Sequence, residues 1–270
     1  MYFVLNSGGI GDALIGCAEC YKLRDKTPLM IHAANRHNAE LIQAFVEPFG
    51  IPALVLDGSF LSEQKAVWQA LHTHPQCTSC CHLPDHLDHG EWANRLKYEP
   101  RVATVLPVQE LFGKGEPCIV IAPSGSGLPA TIGKMQKQRH LLQEEFSQLI
   151  AKHVFNGPVY VICSEEQMQL YGPVRHENCY WLQHDCIIHN DIVMPSTVAN
   201  MYKIINGATA VYSMDTWVKT YSLYAGVPTV VIRTRFDGQY VLGLDSSENI
   251  FLNRRLWPAI QIRTIEELLA

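Results

Sequence analysis

Asp215-Thr216-Trp217-Val218-Lys219-Thr220-Tyr221-Ser222-Leu223-Tyr224-Ala225-Gly226-Val227-Pro228 joins an acidic-hydroxyl pair, a helical stretch and a Gly-x-Pro restart. Upstream, Ala208-Thr209-Ala210-Val211-Tyr212-Ser213 reads as a short buried strand, and downstream Thr229-Val230-Val231-Ile232 reads as another. The stretch is therefore the helix of a strand-helix-strand unit, with Asp215 and Thr216 where the first strand ends and the helix begins. Unpartnered backbone N–H groups and the positive end of the helix dipole make that place favourable for an anion such as a pyrophosphate. Asp or Thr there also serves as an ordinary helix cap without any ligand, so these residues alone leave both readings open.

The same alternation extends outward. Tyr2-Phe3-Val4-Leu5-Asn6 reads as a first strand that breaks into the glycine loop Ser7-Gly8-Gly9-Ile10-Gly11-Asp12, followed by a helix of small and apolar residues from Ala13 to Leu23. Strands are expected at Thr27 to Ala33 and Ala53 to Leu56, and helices at Asn38 to Phe49 and Ser62 to His72. Between about Thr73 and Pro107 the pattern weakens and Pro75, Pro84 and Pro100 interrupt it, which predicts loop and short helix. Pro107 to Pro117, with Gly113, Lys114, Gly115 and Glu116, reads as a linker.

Alternation then restarts, with a strand at Cys118-Ile119-Val120-Ile121-Ala122, a Gly/Ser/Pro loop from Pro123 to Gly133, and a helix from Gln143 to Val154. A strand at Val159 to Cys163, a helix starting near Ser164 and a short helix from Thr197 to Ile205 precede the opening unit. Thr264 and Glu267 match a capping box on a terminal helix. Strands alternating with helices indicate parallel sheets. The simplest division is two α/β halves, 1–112 and 113–270, with ligands expected in a cleft at their strand ends.

Composition limits the function classes. With 270 residues, 47% hydrophobic and 17% charged, the chain can bury one large core or two modest ones, and disorder is not expected. A net charge of −5 supplies no global basic field for a polyanion. No apolar run approaches the roughly 20 residues of a membrane span, and the start lacks a signal-peptide pattern. A cytoplasmic protein is the expectation.

Among the nine cysteines, Cys17, Cys20, Cys118 and Cys163 sit in apolar segments and read as reduced core residues. The stretch Cys77-Thr78-Ser79-Cys80-Cys81-His82 differs, because thiols and an imidazole crowd into a polar segment beside His72, His74, His86 and His89. Cys77, Cys80, Cys81 and His82 have ligand spacing for a structural zinc or iron. A second Cys-x-x-Cys pair is missing, and free thiols on a His-rich loop are the competing reading.

Several of these stretches together resemble the GT-B glycosyltransferases of family 9, the ADP-heptose:lipopolysaccharide heptosyltransferase group. Gly9-Ile10-Gly11-Asp12 is similar to that family's Leu-Gly-Asp loop after the first strand, and Ile121-Ala122-Pro123-Ser124-Gly125-Ser126 to its Pro-Gly-Ala-Ser loop opening the second domain. The Asp215–Pro228 stretch matches the family's Asp-Ser-Gly-x-x-His-x-Ala-x-Ala-x-Gly-x-Pro at equal length, with Trp217 at the glycine and Thr220 at the histidine. The resemblance implies two Rossmann-like domains, an N-terminal one for the acceptor and a C-terminal one for the nucleotide-sugar. The C-terminal helix is a candidate to pack back on the N-terminal domain. It further implies a transferase that moves a heptose or hexose from a nucleotide-diphospho-sugar to an acceptor hydroxyl. The two departures, at positions expected near the donor, mean that the sugar nucleotide need not be ADP-heptose.

Inverting transfer needs one base to take the acceptor proton while the nucleotide leaves from the opposite face of the sugar. Asp12, on a tight loop at a strand end, is the candidate, and capping of the helix that follows is its other reading. The diphosphate must be met by helix N-termini, hydroxyls and cations when no metal is used. Gly9, Gly11, Ser124, Gly125, Ser126, Lys137, Arg139, Thr216, Trp217, Lys219 and Thr220 are the candidate donor-side residues. Asp215 fits better as a helix cap or sugar-hydroxyl acceptor than as a phosphate ligand, since like charges repel. Catalysis on this reading requires no cofactor. The acceptor stays open among saccharide, lipid, protein and modified nucleic acid, and a non-catalytic nucleotide-binding or scaffold module of the same fold is the alternative.

Overall fold

A computed structural model describes residues 3–8, 10, 11, 14, 29–33, 36–50, 53–56, 77–80, 105–125, 140–172, 174–236, 239–241, 257 and 259–270. The chain divides into two compact units, Met1–Glu99 and Pro100–Ala270.

In the first unit, strands β1 (Phe3–Gly8), β2 (Leu29–Ala33), β3 (Ala53–Leu56) and β4 (Cys77–Cys80) form a parallel sheet in the order β3-β2-β1-β4. Helix α1 (Arg36–Val46) buries Leu41, Ile42, Phe45 and Val46, the one-face spacing of an amphipathic helix. Pro48 opens a short 3₁₀ turn, and Gly50, at φ 63°, closes it by donating its N–H to the Glu47 carbonyl. Sequential strands run outward from β1 on one side, and β4 joins on the other. The chain order therefore reverses between β1 and β4, the place where open α/β sheets bind ligands. Strand β1 runs on through Gly8, and Ile10, Gly11 and Leu14 are already helical, so Ser7 and Gly8 belong to the strand and Ile10 and Gly11 to the helix rather than to the loop expected there.

Strand β4 corrects the expectation of loop and short helix over 73–107. Cys77-Thr78-Ser79-Cys80 carries no apolar run, and parallel pairing with β1, Phe3 opposite Cys77 and Leu5 opposite Cys80, makes it a strand.

The second unit contains α2 (Val108–Phe112), β5 (Cys118–Ala122), α3 (Gln143–His153), β6 (Val159–Ile162), α4 (Glu165–Tyr171), β7 (Cys179–Leu182), β8 (Cys186–His189) and β9 (Ile192–Pro195). It continues through α5 (Val198–Gly207), β10 (Ala208–Ser213), α6 (Trp217–Tyr224), β11 (Thr229–Phe236), β12 (Gln239–Val241), β13 (Gln261–Thr264) and α7 (Ile265–Leu269). Among the described residues its strands form a nine-stranded sheet, β12-β11-β10-β5-β6-β7-β8-β9 with β13 also on β11. The centre is parallel, whereas β8, β9 and β12 pair antiparallel. Helix α3 lays Phe146, Leu149 and Ile150 on Val161 and Trp181, and the Phe146 ring lies 4.5 Å from that of Tyr171. Each such side chain removed from water contributes on the order of 2 kcal/mol.

One division read from the sequence changes. Val108–Phe112, placed in a linker ending the first half, is a helix of the second unit: the Phe112 ring lies 4.9 Å from Tyr202, and Asn206 donates to the carbonyls of Val108 and Gly113. The extended segment behind it crosses α5 at glycine contact, since a Cβ on Gly207 would lie 2.5 Å from the Gly115 carbonyl oxygen. The terminal helix α7 buries Ile265 in the core of the second unit, and Lys152 Nζ donates to the Leu268 carbonyl. Its Thr264–Glu267 capping box is present as read. Among the described residues no helix is long and apolar enough to cross a membrane.

Candidate functional site

Strand order locates the site in the second unit. From β5 the chain proceeds to β6 and β7 on one side, then returns to place β10 and β11 on the other. The order reverses between β5 and β10, so their C-terminal ends form the crevice where doubly wound sheets take ligands. Two loops meet there, Pro123–Gly125 after β5 and Met214–Thr216 after β10. The Met214 N–H donates at 3.0 Å to the carbonyl of Ala122, the last residue of β5, which holds the start of the second loop at the strand end from which the first departs.

Thr216 is the N-cap of α6. Its backbone is extended, and its Oγ1 accepts from the Val218 N–H at 3.1 Å. Ser213 Oγ donates to the Met214 carbonyl at 2.7 Å, so at the 3.2 Å contact between the two hydroxyls Thr216 is the donor. With its proton committed to Ser213, Thr216 has no hydrogen for a phosphate. What this helix start offers an anion is backbone N–H groups and the dipole. Lys219 and Asp215 form a closed pair, Nζ to Oδ1 at 2.6 Å, and Nζ also lies 5.7 Å from the Trp257 ring. Trp217 stands edge-on to Tyr202. Thr220 is only 4% exposed and turns its hydroxyl to the Thr216 carbonyl at 3.5 Å, inside the helix rather than towards a ligand.

Ser124 is buried at 5% exposure. Its Oγ lies 2.6 Å from Tyr171 OH and 3.0 Å from His140 Nδ1, while Tyr171 OH donates to the Pro123 carbonyl at 3.0 Å. Counting protons gives the chain one direction: His140 Nδ1–H to Ser124, Ser124 to Tyr171, Tyr171 to Pro123. Burial raises the Tyr171 pKa well above its ordinary range, so the phenol keeps the proton it donates. Ser124, like Thr216, thus spends its hydroxyl proton on the framework. The Gly125 carbonyl accepts from Gln167 Nε2 at 2.7 Å.

Of the candidate residues, the structure brings together Ser124, Gly125, Asp215, Thr216, Trp217, Lys219 and Thr220 on these two loops and α6. In the first unit Gly11 is helical and half-buried. Gly9, Asp12, Ser126, Lys137, Arg139, Cys81 and His82 lie outside the described residues. Cys77 and Cys80 lie on β4, and among the described residues no group of three or more His, Cys, Asp or Glu gathers in a way that would hold a metal. Cys118 and Cys163 are core residues as read. Burial pushes the Cys118 thiol up to about 12.

Sequence reasoning missed His140, Gln167 and Tyr171. Ser164-x-x-Gln167 has capping-box spacing, and the box is present, but nothing local signals that the Gln167 amide also reaches Gly125. Tyr171 meets Ser124 across 47 positions of chain, with no short-range signature.

The chain matches no protein-family model, and no curated protein matches it in sequence. It is similar to solved structures. E. coli heptosyltransferase WaaC with ADP-2-deoxy-2-fluoro heptose aligns over 92% of this chain and 95% of its own, at 11% identity and a TM-score of 0.51. E. coli ADP-heptose LPS heptosyltransferase II aligns over 98% of this chain and 90% of its own, at 12% identity and a TM-score of 0.50. At such identity the likeness is one of fold. The chain has the α/β GT-B fold of the heptosyltransferase kind.

Proposed function

We propose that the chain is a glycosyltransferase that binds a nucleoside-diphospho-sugar at the β5–β10 crevice and transfers a heptose or hexose to an acceptor hydroxyl with inversion. The observation that carries this reading is the Met214–Ala122 hydrogen bond, which sets the Thr216-capped start of α6 beside the β5 end from which Pro123–Gly125 departs. A helix start next to a braced loop is suited to a diphosphate leaving group, whose charge grows as the glycosidic oxygen departs. Asp12, matching the family's loop aspartate by resemblance, takes the acceptor proton. The acceptor oxygen then bonds to the anomeric carbon as the bond to the diphosphate oxygen breaks on the opposite face. No electron or group carrier is needed for that step, so the reading calls for no cofactor. The solved relative WaaC holds a fluorinated ADP-heptose, which supports a sugar nucleotide as the ligand class.

One observation favours a second reading, a nucleotide-binding module without turnover: Thr220, at the family's histidine position, is buried in the helix. Thermal-shift titration of the full chain against ADP-, UDP-, GDP- and CDP-sugars, followed by donor hydrolysis without acceptor, tests both. The transferase should be stabilised by one donor class and release sugar slowly, and Asp12→Asn should keep binding but lose release. Stabilisation with neither hydrolysis nor transfer would leave the binding module. No stabilisation by any sugar nucleotide would sink both.

A further inference from the structure

We infer that Tyr171 and Gln167 of α4, with His140, are positioning residues that fix the Pro123–Gly125 loop in its ligand-ready form before a diphosphate arrives. The inference rests on the reading of the β5–β10 crevice as a nucleoside-diphospho-sugar site.

Every residue of the loop is held by one of these side chains. The Pro123 carbonyl accepts from Tyr171 OH and from the Leu141 N–H, both at 3.0 Å, which fills its two lone pairs. Ser124 Oγ is held between Tyr171 OH and His140 Nδ1, and the Gly125 carbonyl accepts from Gln167 Nε2 at 2.7 Å. In a trans peptide the C=O and the following N–H point in opposite directions. Drawing the Pro123 carbonyl onto Tyr171 and Leu141 therefore turns the Ser124 N–H to the other side of the loop. Capturing carbonyls is also what an anion site requires, because a carbonyl oxygen turned to the phosphate would repel it.

Packing alone does not account for this arrangement. The Tyr171 ring is already placed by Phe146, so its hydroxyl adds only the loop contacts. Gln167 needs only its Oε1 for the cap, where it accepts from the Ser164 N–H at 3.0 Å, and this leaves the amide Nε2 to donate to the Gly125 carbonyl. Donors fixed in advance bind an anion without an ordering penalty at the moment of binding.

The test uses the full chain and whichever of ADP, UDP, GDP and CDP binds the wild type most tightly by calorimetry. Tyr171→Phe keeps the ring and removes the hydroxyl. Gln167→Glu keeps an oxygen for the cap and replaces the donor to Gly125 by an acceptor. Ser164→Ala weakens the cap of the same helix without touching the loop. Positioning predicts a Kd raised at least about tenfold in Tyr171→Phe and in Gln167→Glu, with the melting temperature of Gln167→Glu near that of the wild type. Ser164→Ala should lower the melting temperature and leave Kd unchanged. A Kd unchanged in both loop variants, or one that tracks melting temperature across all three, overturns the inference and leaves the site assignment standing. A wild type that binds none of the four diphosphates overturns the inference together with the reading beneath it.

Discussion

Asp215 Oδ1 accepts a hydrogen bond from Lys219 Nζ at 2.6 Å across one turn at the start of α6, with the two side chains 12% and 7% exposed. The ammonium is held from a second side by the Trp257 ring. The carboxylate therefore does not stand bare at the helix N-terminus, where it would oppose an incoming anion. The pair leaves the positive end of the dipole available while removing net charge from the site.

This arrangement has an unequal response to single and double replacement. Lys219→Met leaves Asp215 as a nearly buried carboxylate without its ammonium, a loss of about 3–5 kcal/mol. Adding Asp215→Asn removes the stranded charge and should recover most of that stability. Urea unfolding of the two variants measures it. A double variant no more stable than Lys219→Met would show that the pair is not coupled.

Asn206 fastens three helices with one amide. Buried at 1% exposure, it donates from Nδ2 to the carbonyls of Val108 at 3.2 Å and Gly113 at 2.8 Å, and its Oδ1 accepts from Tyr221 OH at 3.0 Å. Burial raises the Tyr221 pKa, so this phenol keeps its proton. Asn206→Leu fills the same space but removes three hydrogen bonds among buried groups, each contributing about 0.5–1.5 kcal/mol. The midpoint of urea unfolding should fall clearly. A change within about 0.5 kcal/mol, the range of neutral surface substitutions, would refute the role.

Much of this frame is legible in the sequence because it is local. The runs Cys118–Ala122, Val159–Ile162 and Ala208–Ser213 are apolar enough to read as buried strands, and Thr216 and Thr264 cap helices whose starts are visible within a few residues. Strand β4 is not legible, since Cys-Thr-Ser-Cys owes its conformation to β1. Helix α2 is hidden by the glycines that follow it and is held by Tyr202 and Asn206 from a distance. The β8–β9 hairpin carries its signal in Asn190 and Asp191, which sit at positive φ of 49° and 66° in the tight turn, a conformation that Asn and Asp tolerate. At the site, residue types pointed to Ser124 and Thr216, but not to where their protons go. That depends on Tyr171, His140 and Ser213, which only folding brings into place.

His153, the last residue of α3, ties stability to pH. Its ring lies 4.7 Å from that of Tyr212, and burial first, then the Lys152 charge, lowers its pKa below the ordinary 6.5. Above 6.5 the imidazole is neutral in both folded and unfolded chains, and its contribution is fully present. As pH falls below 6.5, the unfolded chain takes up a proton that the folded one resists, so stability drops until the pH passes the lowered folded value. His153→Phe keeps a ring against Tyr212 and removes the titration. Between pH of about 7.5 and about 5.5, which spans the ordinary histidine range, the wild type should therefore lose more melting temperature than His153→Phe. All other titrating groups are shared by the two chains, so the difference isolates His153, and parallel melting curves across that window would rule out its part in the acid response.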